Sequence, residues 1–200
     1  ALVVDAKPPD AGALIGVRTA WNQGLLNGKA AEITAERVLR SLGVPIEEAA
    51  RIARQAQAGG ASALLVFPPA PFTLGQSAEM ALAHFKTISD ATDLPLIVFQ
   101  YPLATGQGYP ASTLERLFDE VPTIRAIKDW TATVPQHEGQ IRALQARARP
   151  INVLSTNSAW LLSSLVLGCN GLLSGSGSVI ADLQARLYRA VQANDLAEAR

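Results

Sequence analysis

Lysine is scarce in this chain of 200 residues, four against thirteen arginines, and one of the four interrupts an apolar run. Lys128 follows Arg125-Ala126-Ile127 and precedes Asp129-Trp130. The period-two alternation of a strand puts Ala126, Lys128 and Trp130 on one face, and the small Ala126 leaves room for the lysine stem. An amine kept from water loses its ammonium form, turns nucleophilic and adds to a ketone carbonyl as a Schiff base. Such an iminium is an electron sink that permits carbon–carbon bond making or breaking beside the carbonyl. The competing reading is a strand-end lysine that snorkels into solvent or pairs with an acid.

Other chemistry-bearing residues point less sharply. Ser155-Thr156-Asn157-Ser158 has the donors for substrate hydroxyls, although Ser158 fits a helix N-cap better. The glycine-rich stretch Gly171–Ser178 suits a phosphate cradle or a tight turn, and no Gly-Lys-Ser/Thr closes it as in a P-loop. Cys169, the single cysteine, excludes an internal disulfide and has no neighbouring base, so it reads as a buried, inert thiol. His84 and His137 lie far apart without flanking carboxylate spacing, so neither a metal nor a cofactor is expected. His84 reads as a surface or packing residue of an amphipathic helix, and Trp130, Trp160 and Tyr188 as core or interface aromatics.

The elements that must position these residues alternate. Strands are expected at Ser62–Phe67, Leu94–Phe99, Ile124–Lys128, Ile151–Ser155 and Gly171–Ser174. Helices are expected at Ser77–Thr92, Pro110–Glu120, Val134–Arg149, Ser158–Leu167 and Ile180–Ala193. Each strand-plus-helix takes about 25 to 32 residues, close to the roughly 30 of a βαβ unit, and no linker breaks the series. The expectation is one α/β domain over residues 1–200 with a parallel sheet, either open or closed as a (β/α)8 barrel. The first strand, Ala1–Val4, is followed by Asp5-Ala6-Lys7-Pro8-Pro9 and not by a Gly-x-Gly-x-x-Gly turn, which weakens the dinucleotide-binding fold. A strand at Leu25–Gly28, helix-forming residues at Ala35–Arg40 and a stub at Leu42–Val44 compress two units into the N-terminal quarter. Against the roughly 250 residues of a typical barrel, N-terminal units are expected to be incomplete and the C-terminal end truncated.

Composition bounds the function classes. The chain is 48% hydrophobic and 17% charged, and its 17 basic and 17 acidic residues balance to zero net charge, so no summed field attracts nucleic acid or an acidic membrane. No apolar stretch approaches the roughly 20 residues of a bilayer span, and the first residues lack a secretory pattern. A cytoplasmic protein is the expectation.

Several motifs fall in a recognisable order: Gly59-Gly-Ala-Ser-Ala-Leu-Leu-Val-Phe-Pro-Pro69, Leu94-Pro-Leu-Ile-Val-Phe-Gln-Tyr-Pro102, Ile127-Lys128-Asp129, Val153-Leu154-Ser155 and Gly168-Cys-Asn-Gly-Leu-Leu-Ser174. Together they resemble the dihydrodipicolinate synthase and N-acetylneuraminate lyase family over about residues 46–200, with a weaker echo at Asn27–Glu32. That resemblance implies a (β/α)8 barrel, a homotetramer or dimer, and class I aldolase chemistry with Lys128 as the imine lysine toward pyruvate or another 2-oxo acid. It also implies substrate contacts at Gly28, Lys29, Ala30, Ala31, Phe99, Thr156 and Leu173.

The pattern has gaps. Phe99 stands where the family's proton-shuttling tyrosine is found, and phenylalanine moves no proton. Tyr101, two residues on and on the same face, either takes over the relay or stacks on substrate or on Trp130. The family's hydroxyl pair is replaced by Ala30 and Ala31. Backbone N–H groups at that turn remain able to hold a carboxylate, while Lys29 either adds a cation there or faces solvent. Glu32 reads as a site carboxylate or a helix-capping acid. Ala70 replaces a second tyrosine, and Ala104 the arginine that holds an aldehyde substrate's carboxylate. A Schiff-base lyase that is not itself a dihydrodipicolinate synthase is therefore expected. A non-catalytic keto-acid-binding or interaction protein, and a phosphate-binding barrel using Gly171–Ser178, are the alternatives.

Overall fold

The computed structural model of the chain describes residues 2–4, 46–69, 72–73 and 76–200. The expected elements at Leu25–Gly28, Ala35–Arg40 and Leu42–Val44, and the positions Gly28, Lys29, Ala30, Ala31, Glu32 and Ala70, lie outside these residues. Six strands form one sheet in chain order: β1 (Leu2–Val4), β2 (Ala63–Val66), β3 (Leu96–Gln100), β4 (Ile124–Asp129), β5 (Asn152–Ser155) and β6 (Gly171–Leu172). From β2 to β6 every pairing is parallel, each strand beside the next, with helices between: α2 (Ala78–Ser89), α3 (Ala111–Glu120), α4 (Val134–Gln145) and α5 (Leu161–Val166). α1 (Ile46–Ala58) precedes β2 and α6 (Gly177–Gln192) follows β6. The first strand departs from the expected direction, because β1 runs antiparallel to β2.

These segments become strands because runs such as Ala63–Val66 and Leu96–Gln100 are buried on both faces, as a sheet covered on both sides requires. Side chains of alternate residues divide into two layers. Leu64, Val66, Leu96, Val98, Ile127, Val153 and Leu172 face the helices, while Ala63, Leu65, Ile97, Phe99, Ala126, Leu154 and Leu173 face inward. α3 shows how a helix is held: Leu114, Leu117 and Phe118 recur at helical spacing and are buried against the outer layer. Truncating Leu117, fully buried, to Ala costs about 2–5 kcal/mol.

Several boundaries differ from expectation for local reasons. α1 was not anticipated; its alanines at 49, 53 and 56 repeat at helical spacing and pack on the outer core without a strongly apolar stripe. α2 starts one residue after Ser77, whose hydroxyl caps the Met80 N–H. α4 stops at Gln145, before Arg147 and Arg149 turn to partners on α3 and β4. α5 starts only at Leu161, and its N-cap is Trp160 rather than Ser158, whose hydroxyl has partners elsewhere. α6 begins three residues before Ile180, where the backbone leaves helical geometry. Among the described residues no helix is long and apolar enough to cross a membrane.

Candidate active site

Lys128 is built into the sheet by a phase change. Register shifts between Leu96 and Ile97, so that Arg125 is the extra residue of β4 opposite them. Ile124 joins the outer layer and Ala126 the inner one, with Arg125 exposed between them. From Ala126 onward strict alternation sends Ile127 outward and Lys128 inward, where its register neighbours are Phe99 on β3 and Leu154 on β5.

The amine lands in an apolar setting. Lys128 is 8% exposed, and its Nζ lies over the Phe99 ring at 4.3 Å from the centroid. Among the described residues it makes neither an ion pair nor a hydrogen bond. Burial without a partner pushes the amine down to about 8 from the ordinary 10.5. The ring face pulls the other way, since it attracts a cation by roughly 0.5–2 kcal/mol.

Phe99 belongs to a cluster of four aromatic rings beside this position. Phe67, just after β2, meets Phe99 edge-on at 4.9 Å; Tyr101 lies 4.3 Å from Phe99; Trp130 lies 5.6 Å from Tyr101 and stacks with Phe99 at 6.3 Å. Trp130 is 41% exposed and Phe67 37%; of the two roles expected for Trp130, core or interface, this exposure speaks against the core, and the ring lies at the rim beyond the strand end, where solvent reaches it. Tyr101 is half-buried, and burial raises its phenol above the usual value. Its hydroxyl has no hydrogen-bond partner among the described residues.

A second row lies one residue further along each strand, and it was not anticipated. Gln100, Asp129 and Ser155 are register neighbours, all nearly fully buried and all facing the helices. The Gln100 amide donates to the Tyr109 carbonyl and accepts from the Tyr109 N–H, both at 3.0 Å. Asp129 accepts from the Thr131 N–H at 3.1 Å and the Thr131 hydroxyl at 3.2 Å, and its other contact is His137 Nδ1 at 2.5 Å. Ser155 shares a hydrogen bond with Ser164 at 2.8 Å. Each strand end is thereby tied to the loop or helix that follows it, and His137 belongs to this scaffold. The only signal for it in the sequence was the Lys-Asp dipeptide, which alternation places on opposite faces.

The remaining expected residues fall around the same strand ends. Leu173 belongs to the inner layer, and the Thr156 N–H donates to the Asp129 carbonyl at 3.2 Å. Ser158, Ser174 and Ser176 form a triangle of hydroxyls at 2.6, 2.8 and 2.9 Å, with the Gln184 amide donating to Ser176 at 2.6 Å. In the glycine-rich stretch, the N–H groups of Gly177, Ser178 and Val179 bond to carbonyls three residues back, so a tight turn accounts for it better than an anion cradle. Cys169 is buried and its thiol is pushed up to about 11, as expected of an inert residue. His84 packs against Phe72 and Phe85. Among the described residues no cluster of metal-ligating side chains occurs.

Residues 30–200 match the Dihydrodipicolinate synthetase family. A 4-hydroxy-tetrahydrodipicolinate synthase of Chlorobium luteolum is 30% identical over 76% of the chain and 50% of its own length. One of Gluconacetobacter diazotrophicus is 32% identical over the same shares. The chain thus spans about half the length of the curated relatives it matches. Among solved structures, YagE, a prophage protein of Escherichia coli K12 assigned to the dihydrodipicolinic acid synthase family and crystallised with pyruvate, superposes with a TM-score of 0.72. It is 24% identical, over 92% of this chain and 64% of its own, a likeness of fold. The parallel run β2–β6 with its helices is accordingly part of a (β/α)8 barrel, and the inner layer is the barrel interior.

Proposed function

The chain belongs to the Dihydrodipicolinate synthetase family, and on that premise we propose that it is a Schiff-base-forming lyase or aldolase acting on pyruvate or another 2-oxo acid, with the imine on Lys128. The observation that carries this reading is the buried amine at the carboxyl end of β4, without an ion pair or hydrogen bond among the described residues, at the end where barrel active sites are built. An amine brought down to about 8 supplies free base at neutral pH without losing nucleophilicity. It adds to the 2-oxo carbonyl and, after loss of water, leaves an iminium that draws electrons from the adjacent carbon–carbon bond. The Phe99 face beneath Nζ favours that cation. Phe99 transfers no proton, so the Tyr101 hydroxyl or a water serves as acid and base; residues Gly28–Ala31 are proposed to hold the carboxylate through backbone N–H groups.

Synthesis of 4-hydroxy-tetrahydrodipicolinate is not part of the proposal, because Phe99, Ala104, Ala30 and Ala31 replace the side chains that relay the proton and hold the substrates. The same Phe99 favours a second reading, a family relative that binds a keto acid without turning it over. We place the protein in the cytoplasm as a homo-oligomer, which size-exclusion chromatography tests. Borohydride reduction in the presence of pyruvate separates the enzyme from a protein that forms no imine. The lyase reading expects a reduced adduct on the peptide carrying Lys128 and turnover of a 4-hydroxy-2-oxo acid. An adduct, or thermal stabilisation by a keto acid, without turnover of any such acid supports the binding reading, and no adduct contradicts the lyase reading.

A further inference from the structure

Among the described residues, the neighbourhood of Lys128 is aromatic on one side, and the ends of β2 to β6 turn no other charge toward the amine. The segments 62–69, 96–109, 126–133, 152–160 and 171–181, which hold β2 to β6 and the turns after them, contain only two charged residues, Lys128 and Asp129. Asp129 is spent on Thr131 and His137 on the helix side. Facing inward and upward from β2, β3 and β4 are Phe67, Phe99, Tyr101 and Trp130, in ring-to-ring contact, and the two outermost are those left open to solvent. A wall of this composition offers nothing to a second carboxylate or a phosphate, and only a few weak polar contacts to a polyol. It offers flat apolar area and ring faces to a planar apolar group beside the reacting carbon.

Resting on the lyase reading above, we infer that the part of the substrate beyond the bond being cleaved is an uncharged aromatic group: the substrate class is a 4-aryl-4-hydroxy-2-oxobutanoate, and the products are pyruvate and an aromatic aldehyde. The Lys128 amine adds to the C2 ketone and water leaves. The C3–C4 bond breaks with its electron pair passing into the iminium to give an enamine, while the C4 hydroxyl gives up its proton and becomes the aldehyde oxygen. Protonation at C3 and addition of water return the free amine and pyruvate. No oxidant or reductant enters. Trp130 and Phe67 are specificity-determining residues that flank the aryl ring as the aldehyde forms.

The test compares kcat/KM for cleavage of 4-hydroxy-2-oxo-4-phenylbutanoate with that of 4-hydroxy-2-oxopentanoate, in which methyl replaces phenyl, and of a polyhydroxylated 2-oxo acid, beside borohydride trapping with pyruvate. The phenyl substrate is expected to be preferred by roughly 10- to 100-fold, the scale of burying one more apolar ring. Trp130→Ala is expected to collapse the phenyl-to-methyl ratio toward one and Trp130→Phe to restore most of it; Phe67→Leu gives an independent variant if Trp130→Ala does not fold. Pyruvate trapping without a phenyl preference, or a ratio untouched by both substitutions, overturns this inference and leaves the lyase reading standing. Absence of trapping with every 2-oxo acid overturns both.

Discussion

Phe99, Lys128 and Leu154 form one row across three strands, and Gln100, Asp129 and Ser155 form the next, a single residue further along. Both rows are buried, yet their polar members are treated in opposite ways. In the outer row every side chain is hydrogen-bonded to the segment that follows its own strand. In the inner row the one polar group, an amine, has an aromatic face and, among the described residues, no hydrogen-bond or ion-pair partner. Satisfied buried groups stabilise and fix geometry; an unsatisfied one costs stability and retains reactivity. The outer row is therefore the scaffold that tolerates the inner one.

Substitutions in the two rows should separate activity from stability. Lys128→Met has the largest effect: it removes the nucleophile and lowers turnover by roughly 10⁴-fold or more, with loss of the reduced adduct in mass spectrometry. Asp129→Ala does the reverse in kind, costing about 3–5 kcal/mol in denaturant unfolding because it strands His137 and Thr131 in the interior. Lys128→Met also stabilises. The unfolded lysine keeps the ordinary 10.5 while the folded one titrates near 8, so the folded state holds fewer protons between these values. Stability of the parent rises with pH through that window, and below about 8 the cost of the buried ammonium stands in full, on the order of 3 kcal/mol. Thermal melts at neutral pH should show the Met variant ahead, and its advantage should shrink as pH climbs from 8 to 10.5.

Gln100→Ala is expected to cost about 2–3 kcal/mol in chemical melts, since it leaves the Tyr109 N–H and C=O unpaired. It should also lower turnover, because it loosens the turn that carries Tyr101. Gly108→Ala probes the same turn: a Cβ there would lie 2.4 Å from the Tyr101 carbonyl oxygen, so the backbone must move and Tyr101 with it. The smallest effect is Ser164→Ala, about 1 kcal/mol in the same melts with kcat unchanged, because Ser155 loses one neutral partner far from the amine.

The inner row was legible in the sequence because strand alternation is a strong signal. Lys128 in an apolar run, with Ala126 beneath it, could be assigned a face from period two alone. The bulge at Arg125 that sets this phase has no sequence mark, and alternation read backwards through it would put Ile124 on the wrong side. The outer row was not legible, since Gln100 with Tyr109, Asp129 with His137 and Ser155 with Ser164 pair across eight or nine residues, a spacing with no local periodicity. The choice between a core and an interface role for Trp130 was not legible for a related reason. Alternation gives a face but not a height, and height separates a core aromatic from one at the rim. The expected helix start at Ser158 failed because capping propensity is local, whereas its hydroxyl is claimed by Ser174 and Ser176 from the neighbouring strand end.

The claim that most depends on the inner row is that burial alone brings its amine down to about 8, so that free base is available near neutral pH. The rate of pyruvate-dependent borohydride labelling of Lys128, measured from pH 6 to 11 and corrected for the reductant's own decay, reads this directly. The account predicts a tenfold rise per pH unit at low pH that levels off near 8. A rate still climbing through 10.5, or labelling spread over other lysines and sparing Lys128, would contradict it.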